Sequence, residues 1–147
     1  MNIVKLLLSV LLVLGITNAP NNVAAQEASK LFAVPVATGE EKTFIQALQT
    51  ATKNNDVHWI SAHVFYPISV TMSGHKIKIH DTTNFEKHYN EIITYKIRNA
   101  ILEQDINKLS KTPQGVMIGQ GFVWVDSLIL GNNPNKAPSV LIIAINN

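Results

Sequence analysis

The clearest alternation of hydrophobic and polar positions lies at residues 114–130, QGVMIGQGFVWVDSLIL. Gly119 and Gly121 flank Gln120 there and supply the positive backbone φ that a tight reversal needs. The Val, Ile, Phe and Trp residues on either side suit a pleated, half-buried surface. The pattern predicts a β-hairpin that turns at these glycines.

The second arm of this hairpin has two distinct faces, because alternate residues of a strand point to opposite sides of the sheet. One face carries Phe122, Trp124 and Asp126, and the other carries the two valines and the serine that alternate with them. We expect the aromatic face to point inward and to line a core or a pocket.

Two helices are predicted before the first strand. From Glu40 the apolar residues recur at helical spacing, and this helix should end near Asn54. Asp56 can cap a second, short helix that Pro67 stops, although residues 57–66 also contain strand-forming side chains and a strand is the alternative. The apolar positions of the two helices are Phe44, Ile45, Leu48 and Ala51, then Val57, Ile60, Val64 and Phe65.

The middle of the chain predicts a hairpin followed by helices. Residues 68–72 and 75–80 alternate on either side of a Ser-Gly turn. Thr83 with Glu86 three residues later has the form of a capping box and opens a helix, and a further helix and a turn follow before Pro113. The apolar face of these helices comprises Phe85, Tyr89, Ile92, Ile93, Ile97, Ile101 and Leu102.

The last strand, predicted at residues 139–145, is apolar on both faces, which indicates that it is not an exposed edge. Helices, a hairpin, more helix and then three strands are typical of an α+β fold in which a curved antiparallel sheet packs on helices. In this interpretation residues 40–147 form one domain, and residues 26–39 are a loosely held lead-in.

Residues 1–25 are typical of a secretory signal peptide. Lys5 supplies the positive charge, residues 6–14 are an apolar run, and small residues lead to Ala25, after which we expect cleavage. The mature chain should then be periplasmic or secreted from a bacterium. Retention as a membrane anchor is the alternative, but the apolar stretch is shorter than the about 20 residues that a span needs.

Composition restricts the function classes. The sequence has no cysteine, which excludes disulfides and thiol chemistry and fits export to a bacterial periplasm. It has 12 basic and 10 acidic residues, and removal of Lys5 with the signal peptide leaves 11 against 10. This balance argues against a nucleic-acid surface or a polybasic membrane patch.

Four segments resemble a known group of proteins: HVFYPISV at 63–70, NFEKHYNEII at 84–93, QGVMIGQGFVWV at 114–125 and IAIN at 143–146. In this order they are similar to small exported bacterial proteins of unknown function, which resemble the cystatin-like, nuclear-transport-factor-like superfamily of cone-shaped α+β domains. The resemblance implies a fold and an exported location but no reaction, because this superfamily hosts enzymes, adaptors and binding domains alike.

All five histidines lie between His58 and His88, and imidazole is a common metal ligand. His75 and His80 lie at odd separation on a predicted strand and point to opposite faces, and neither an HxH nor a helical HxxxH pair occurs. We therefore expect surface histidines and no metal site. Nothing in the sequence indicates a cofactor.

The predicted pocket is aromatic with few charges, and we expect its lining to be Tyr66, Phe85, Tyr89, Phe122 and Trp124. His63 and Asp126 are the candidates for a general acid or base, since burial can bring the pKa of an imidazole or carboxyl group toward neutrality.

The sequence therefore predicts a non-enzymatic binding module for a small apolar ligand or a protein partner. One alternative is a small-substrate enzyme of the isomerase, dehydratase or hydrolase type, which would use Tyr, Asp and His side chains of the pocket. Another is a structural homodimer that forms through the outer face of the sheet.

Overall fold

The computed structural model describes residues 35–133 and 135–147, so the predicted signal peptide and the lead-in up to residue 34 lie outside the described residues. The fold is α+β, as predicted. Its helices are α1 (Gly39–Asn54), α2 (Val57–Ala62), α3 (Thr82–Lys87), α4 (Tyr89–Ile92) and α5 (Tyr95–Leu102). Its strands are β1 (Ile68–Met72), β2 (His75–Ile79), β3 (Ser110–Thr112), β4 (Gly115–Ile118), β5 (Val123–Leu128) and β6 (Ser139–Ile145).

The strands form two antiparallel sheets, neither closed into a barrel. β1 and β2 pair as a separate hairpin, and the other four follow chain order as β3-β4-β5-β6. Both predicted hairpins are confirmed. Strand β3 was not predicted, because its three polar or charged residues give no hydrophobic alternation. It is a short edge strand, which limits unwanted pairing with other chains.

Helix α1 begins and ends where the sequence signals indicate. The hydroxyl oxygen of Thr38 accepts a hydrogen bond from the Glu41 backbone N–H at 3.2 Å, and the Glu41 carboxylate accepts one from the Thr38 N–H at 2.8 Å. This is a capping box. The helix ends at Asn55, which has φ of 54°. The predicted apolar stripe is buried at Phe44, Ile45, Leu48 and Ala51.

Helix α2 is capped by Asp56 as predicted, with its carboxylate accepting from the Trp59 N–H at 2.9 Å. The helix is shorter than expected, because the chain after Ala62 turns to pair with β6. The N–H of Ile142 donates to the His63 carbonyl at 2.9 Å, and the N–H of Phe65 donates to the Ile142 carbonyl at 2.8 Å. β6 is the last strand in the sheet order, and this short pairing covers its free side only at Ile142.

The predicted capping box at Thr83 is wrong. Asp81 caps α3 instead, with its carboxylate accepting from the Asn84 N–H at 2.8 Å. The Glu86 side chain does not bond to the N-terminus of its own helix. Its carboxylate accepts a hydrogen bond from the hydroxyl group of Ser61 on helix α2. The expected single helix is broken at His88 into α3 and α4. Its apolar residues are nevertheless buried as predicted: Phe85, Tyr89, Ile92 and Ile93.

The central hairpin has the predicted alternation but the opposite orientation. The face toward α1, called here the inner face, buries Val123 and Val125 at 1% and 0% exposure. Trp124 lies on the other side, the outer face, in register with Met117 of β4 and Ala144 of β6. Short branched side chains such as valine fit the close contact between a helix and a sheet. On the outer face the Trp124 indole N–H donates a hydrogen bond to the carbonyl oxygen of Gly121 in the turn, at 3.1 Å.

Candidate functional site

Three of the predicted pocket residues come together, but they form core rather than a cavity. The ring centroids of Tyr66 and Phe85 are 6.3 Å apart, and those of Phe85 and Tyr89 are also 6.3 Å apart. Phe85 is fully buried and Tyr89 is 4% exposed. Burial raises the pKa of the Tyr89 hydroxyl. These edge-to-face contacts are those of packed core aromatics.

The other predicted pocket residues lie elsewhere. Phe122 packs under the ammonium group of Lys96, whose Nζ is 4.4 Å from its ring centroid. Trp124 and Asp126 face away from α1 on strand β5, and the Asp126 carboxylate accepts a hydrogen bond from the adjacent Ser127 N–H at 2.9 Å. The structure therefore does not assemble the predicted pocket. Trp124 is on the outer face of β5 and Phe122 lies before that strand, beside Lys96, whereas the aromatic residues of α3 and α4 are in the core.

A serine, a carboxylate and a histidine are linked at the junction of α2 and α3. The Ser61 hydroxyl donates to Glu86 Oε1 at 2.7 Å, and His58 Nδ1 lies 3.1 Å from the same oxygen. These hydrogen bonds hold the pKa of Glu86 below its usual value. A nucleophilic triad needs the histidine between the serine and the acid. Here the carboxylate is in the middle, so the serine is not activated and the cluster ties two helices together.

Tyr66 also belongs to this junction. Its hydroxyl donates to the Ser61 carbonyl at 2.9 Å. Burial, together with the negative charges of Asp81 and Glu86, raises the pKa of Tyr66. The phenol is thus a fixed hydrogen-bond donor to the backbone, which is a structural role.

An open cleft of about 780 Å³ lies between the first turns of α1 and the segment around β6. We call it the α1–β6 cleft. His63, one of the two residues predicted as a candidate acid or base, lines it. The remaining lining residues are Gly39, Glu40, Thr43 and Phe44 of α1, and Leu130, Pro138, Ser139, Val140 and Leu141 at the other wall.

His63 is held in place from two sides. Its ring stacks on Trp59 with centroids 3.9 Å apart and an interplanar angle of 20°, and Phe44 lies 5.8 Å from it. Its Nδ1 is 2.6 Å from the Trp59 carbonyl oxygen, which can only accept, so Nδ1 carries the hydrogen. The nitrogen left for another partner is Nε2. In the neutral ring Nε2 is a hydrogen-bond acceptor.

A buried ion pair lies next to this cleft. Glu41 is fully buried, and its carboxylate oxygens are 2.8 and 2.9 Å from Lys111 Nζ on strand β3. The Ser127 hydroxyl donates to the same carboxylate at 3.3 Å. Burial raises the pKa of Glu41, but the hydrogen bonds from Lys111 and Thr38 and the lysine charge outweigh it, so the pKa is lowered. Glu41 stays ionised and joins α1 to the sheet.

Of the residues that line the cleft, the sequence predicted only His63 as a site residue. Ile129 and Leu130 are two apolar residues directly before a polar loop. This pattern is the sequence signal that could have indicated an apolar binding surface there. Phe44 was predicted as core. Its role in the cleft depends on the return of residues 138–141 across α1, which no local pattern shows.

Within residues 35–133 and 135–147, no group of three or more metal-ligating side chains is close enough to hold a metal ion. The helices of that part of the chain are also too short or too polar to cross a membrane. Comparison with protein-family models, with curated proteins and with solved structures finds no match for this chain.

Proposed function

We propose that the protein is an exported, non-enzymatic binding module that holds a small apolar ligand in the α1–β6 cleft. The observation that carries this proposal is the fixed aromatic wall of the cleft. Phe44 and His63 form this wall and pack against each other and against Trp59, so the surface presented to a ligand is already ordered and little side-chain entropy is lost on binding.

The chemistry of the lining defines the ligand. Phe44, Leu130, Pro138, Val140 and Leu141 make most of the surface apolar. A volume of about 780 Å³ is in the range of sites for small molecules. His63 Nε2 can accept one hydrogen bond, so the ligand should be largely apolar and carry one donor group at its inner end.

The enzymatic alternative has less support. An acid–base enzyme needs at least two convergent polar groups with shifted pKa values. Within the part of the chain that the structure describes, Glu41, Tyr66, Glu86 and Tyr89 have shifted pKa values, and none of them lines the cleft. Each of the first three is engaged in the structural hydrogen bonds described above.

The proposal also includes export and membership of the cone-shaped, cystatin-like superfamily. The apolar run after Lys5 supports the first, and an antiparallel sheet with helix α1 against one face supports the second. N-terminal mass spectrometry of protein recovered from a bacterial periplasm should find a chain that begins at Gln26. Intact Met1 in the membrane fraction would contradict export by a cleaved signal.

A cleft-filling substitution tests the binding site. Thr43 is an exposed residue of α1 that lines the cleft, and its hydroxyl donates to the Gly39 carbonyl at 2.9 Å. Thr50 is its match on the same helix: it is also exposed and donates to the Gln46 carbonyl at 3.0 Å, but it is not part of the lining. Thr43→Phe should fill the cleft, and Thr50→Phe should not.

The readout is the fluorescence of N-phenyl-1-naphthylamine, a neutral apolar dye that carries one N–H donor. Wild type and Thr50→Phe should bind the dye with the same affinity, and Thr43→Phe should bind at least about tenfold more weakly, a difference of about 1.4 kcal/mol. Thermal unfolding should show both variants folded. If wild type binds no dye, or Thr43→Phe binds as well as Thr50→Phe, the α1–β6 cleft is not the binding site.

A further inference from the structure

A second open cleft, with different chemistry, lies between α5 and the turn at Gly119–Gly121. Its volume is about 570 Å³. We call it the α5–turn cleft. It shares no lining residue with the α1–β6 cleft. One wall is the exposed side of α5, opposite the buried Ile97 and Ile101, and the other is the turn with the adjoining Phe122.

The two walls of this cleft are rigidly joined. A Cβ atom added to Gly119 would collide with the Cβ of Ala100, so the turn packs directly against the helix at a position where only glycine fits. The N–H of Gly119 donates to Gln104 Oε1 at 2.9 Å. Gln104 lies just after the C-terminal end of α5. The turn is therefore joined to the helix by the Gly119–Ala100 contact and by this hydrogen bond, and the cleft is preformed.

Two aromatic side chains line the cleft, Tyr95 from α5 and Phe122 from the end of the turn. Tyr95 is 80% exposed, an unusual state for a large aromatic residue. Phe122 is half-buried, and the Lys96 ammonium group over its ring is a cation–π contact at 4.4 Å from the centroid. A flat ring at the edge of a preformed cleft is suited to stack on the face of a ligand.

The charges of the cleft cancel, and this selects the ligand. Lys96 and Lys108 contribute two positive charges, and Glu103 and Asp105 contribute two negative charges. Lys108 Nζ and Asp105 Oδ2 are 3.5 Å apart. An anion would meet the two carboxylates and a cation would meet the two ammonium groups, so neither sign is favoured.

The polar groups of the cleft also exclude a purely apolar ligand. The side-chain amides of Asn99 and Gln120 can each donate and accept hydrogen bonds, and the carboxylates of Glu103 and Asp105 can accept hydrogen bonds from hydroxyl groups. A ligand that covered these groups without hydrogen bonds would leave them unsatisfied, at a substantial cost in binding free energy. The ligand should therefore be neutral, rich in hydroxyl groups, and have a flat C–H face that can stack on an aromatic ring.

These are the properties of a sugar ring. We propose that the α5–turn cleft is a binding site for a neutral carbohydrate, with Tyr95 as the stacking surface and with Asn99, Glu103 and Gln120 as partners of the hydroxyl groups. The site is independent of the one assigned under the proposed function, so either can fail without the other.

The proposal is tested by NMR titration of the intact protein with two neutral disaccharides, cellobiose and N,N′-diacetylchitobiose. At least one should shift backbone amide signals at millimolar concentration, and the shifted residues should cluster around Tyr95, Asn99 and Gln120. Tyr95→Ala and Asn99→Ala should each weaken binding about tenfold or more. Dye binding at the α1–β6 cleft should be unchanged in both variants.

Matched controls are available on the same chain. Phe65 is an aromatic residue with 44% exposure and Asn107 is an exposed asparagine, and neither lines the cleft. Phe65→Ala and Asn107→Ala should bind as wild type does. The deacetylated, cationic form of chitobiose should bind more weakly than the neutral form.

Three results would overturn the proposal: no shift with either neutral disaccharide, equal loss of binding in the control variants, or tighter binding of the cationic sugar. Gln120→Gly is a control for variants that lose sugar binding only because they unfold. Gln120 has φ of 61°, a conformation that glycine adopts more easily, so this variant keeps the turn while it removes the amide. It should weaken sugar binding in a protein that is at least as stable as wild type.

Discussion

The inner and outer faces of the four-stranded sheet use the same strands but differ in what packs on them. On β5 the inner face carries Val123 and Val125 with 0–1% exposure, whereas Trp124 between them is only half-buried on the outer face. The larger apolar side chain is therefore on the less buried side. Hydrophobicity of a residue alone does not decide which face is covered, because helix α1 packs against short side chains more closely than against an indole ring.

The inner face also contacts a charged group, the carboxylate of Glu41. A charge would cost less on the outer face, because that face is less buried. The carboxylate of Glu41 has 0% exposure, and Lys111 of β3, whose side chain is 21% exposed, reaches it from the sheet. A buried ion pair adds little when intact, since desolvation offsets the Coulomb attraction, but the loss of one partner leaves an uncompensated charge. The two faces should therefore respond differently to substitution.

The largest effect is expected from Lys111→Met. At pH 7 the ionised Glu41 carboxylate would stay buried without its cation, and we expect a loss of about 3 kcal/mol in the free energy of unfolding. Because Lys108 is 83% exposed and its partner Asp105 is on the surface, the control Lys108→Met should lose less than about 0.5 kcal/mol. Urea unfolding of both variants measures the difference.

The pH dependence of this effect has a definite sign. The folded-state pKa of Glu41 lies below its ordinary value of 4.5, so in wild type the ionised carboxylate stabilises the fold above about pH 4.5. That stabilisation is lost as the pH falls through the lowered folded-state pKa. In Lys111→Met the carboxyl group can protonate and avoid the penalty, so the variant should approach wild-type stability in acid. An equal penalty at pH 7 and pH 4 would show that the pair is not buried.

The next largest effect compares the two faces directly. Ile118 has 0% exposure on the inner face, and Ile118→Ala should cost about 2–3 kcal/mol through lost burial and a cavity. Trp124→Ala removes a larger side chain, but from the half-buried outer face, and should cost about 1–2 kcal/mol. Urea unfolding of both variants measures the two losses in the free energy of unfolding, provided that the m-value stays that of wild type. If Trp124→Ala were the more damaging change, the assignment of the faces would be reversed.

Most of the local structure could be predicted because its signals are local. The capping residue Asp56 lies three residues from the N–H group that it binds, and the glycines at the central turn are next to the residue that reverses the chain. The hairpins and helix α1 follow from such signals. Residues 64–65 were predicted as helix because their pairing partner, Ile142, lies far along the chain.

The site could be predicted only in part, for the same reason. Alternation identified the two faces of β5 but contains no information about which one α1 covers. His63 was found because histidine is a chemically distinctive residue. The cleft around it is formed by a loop and a helix far apart in sequence, and the α5–turn cleft depends on the contact between Gly119 and Ala100. These contacts exist only once the chain is packed.

The smallest effect concerns the turn that sets the two faces apart. A shift of one residue between β4 and β5 would exchange the inner and outer side chains, and the turn at Gln120 fixes this register. Gln120 has φ of 61°, which costs a non-glycine residue about 1–2 kcal/mol. Gln120→Gly should relieve this strain but increase the freedom of the unfolded chain, for a net gain of about 0.5 kcal/mol in the free energy of unfolding.

Gln114→Gly is the matched comparison, because the same change at an exposed turn residue without a positive φ has the opposite expected sign. It removes the bond between the Thr112 hydroxyl and Gln114 Oε1 at 2.8 Å and adds unfolded-state entropy, so we expect a loss of about 1 kcal/mol. Thermal and urea unfolding of the two variants give the comparison. If Gln120→Gly destabilised the protein as much as Gln114→Gly, the turn would not have the left-handed conformation at residue 120. The register that puts Trp124 on the outer face would then lose its support.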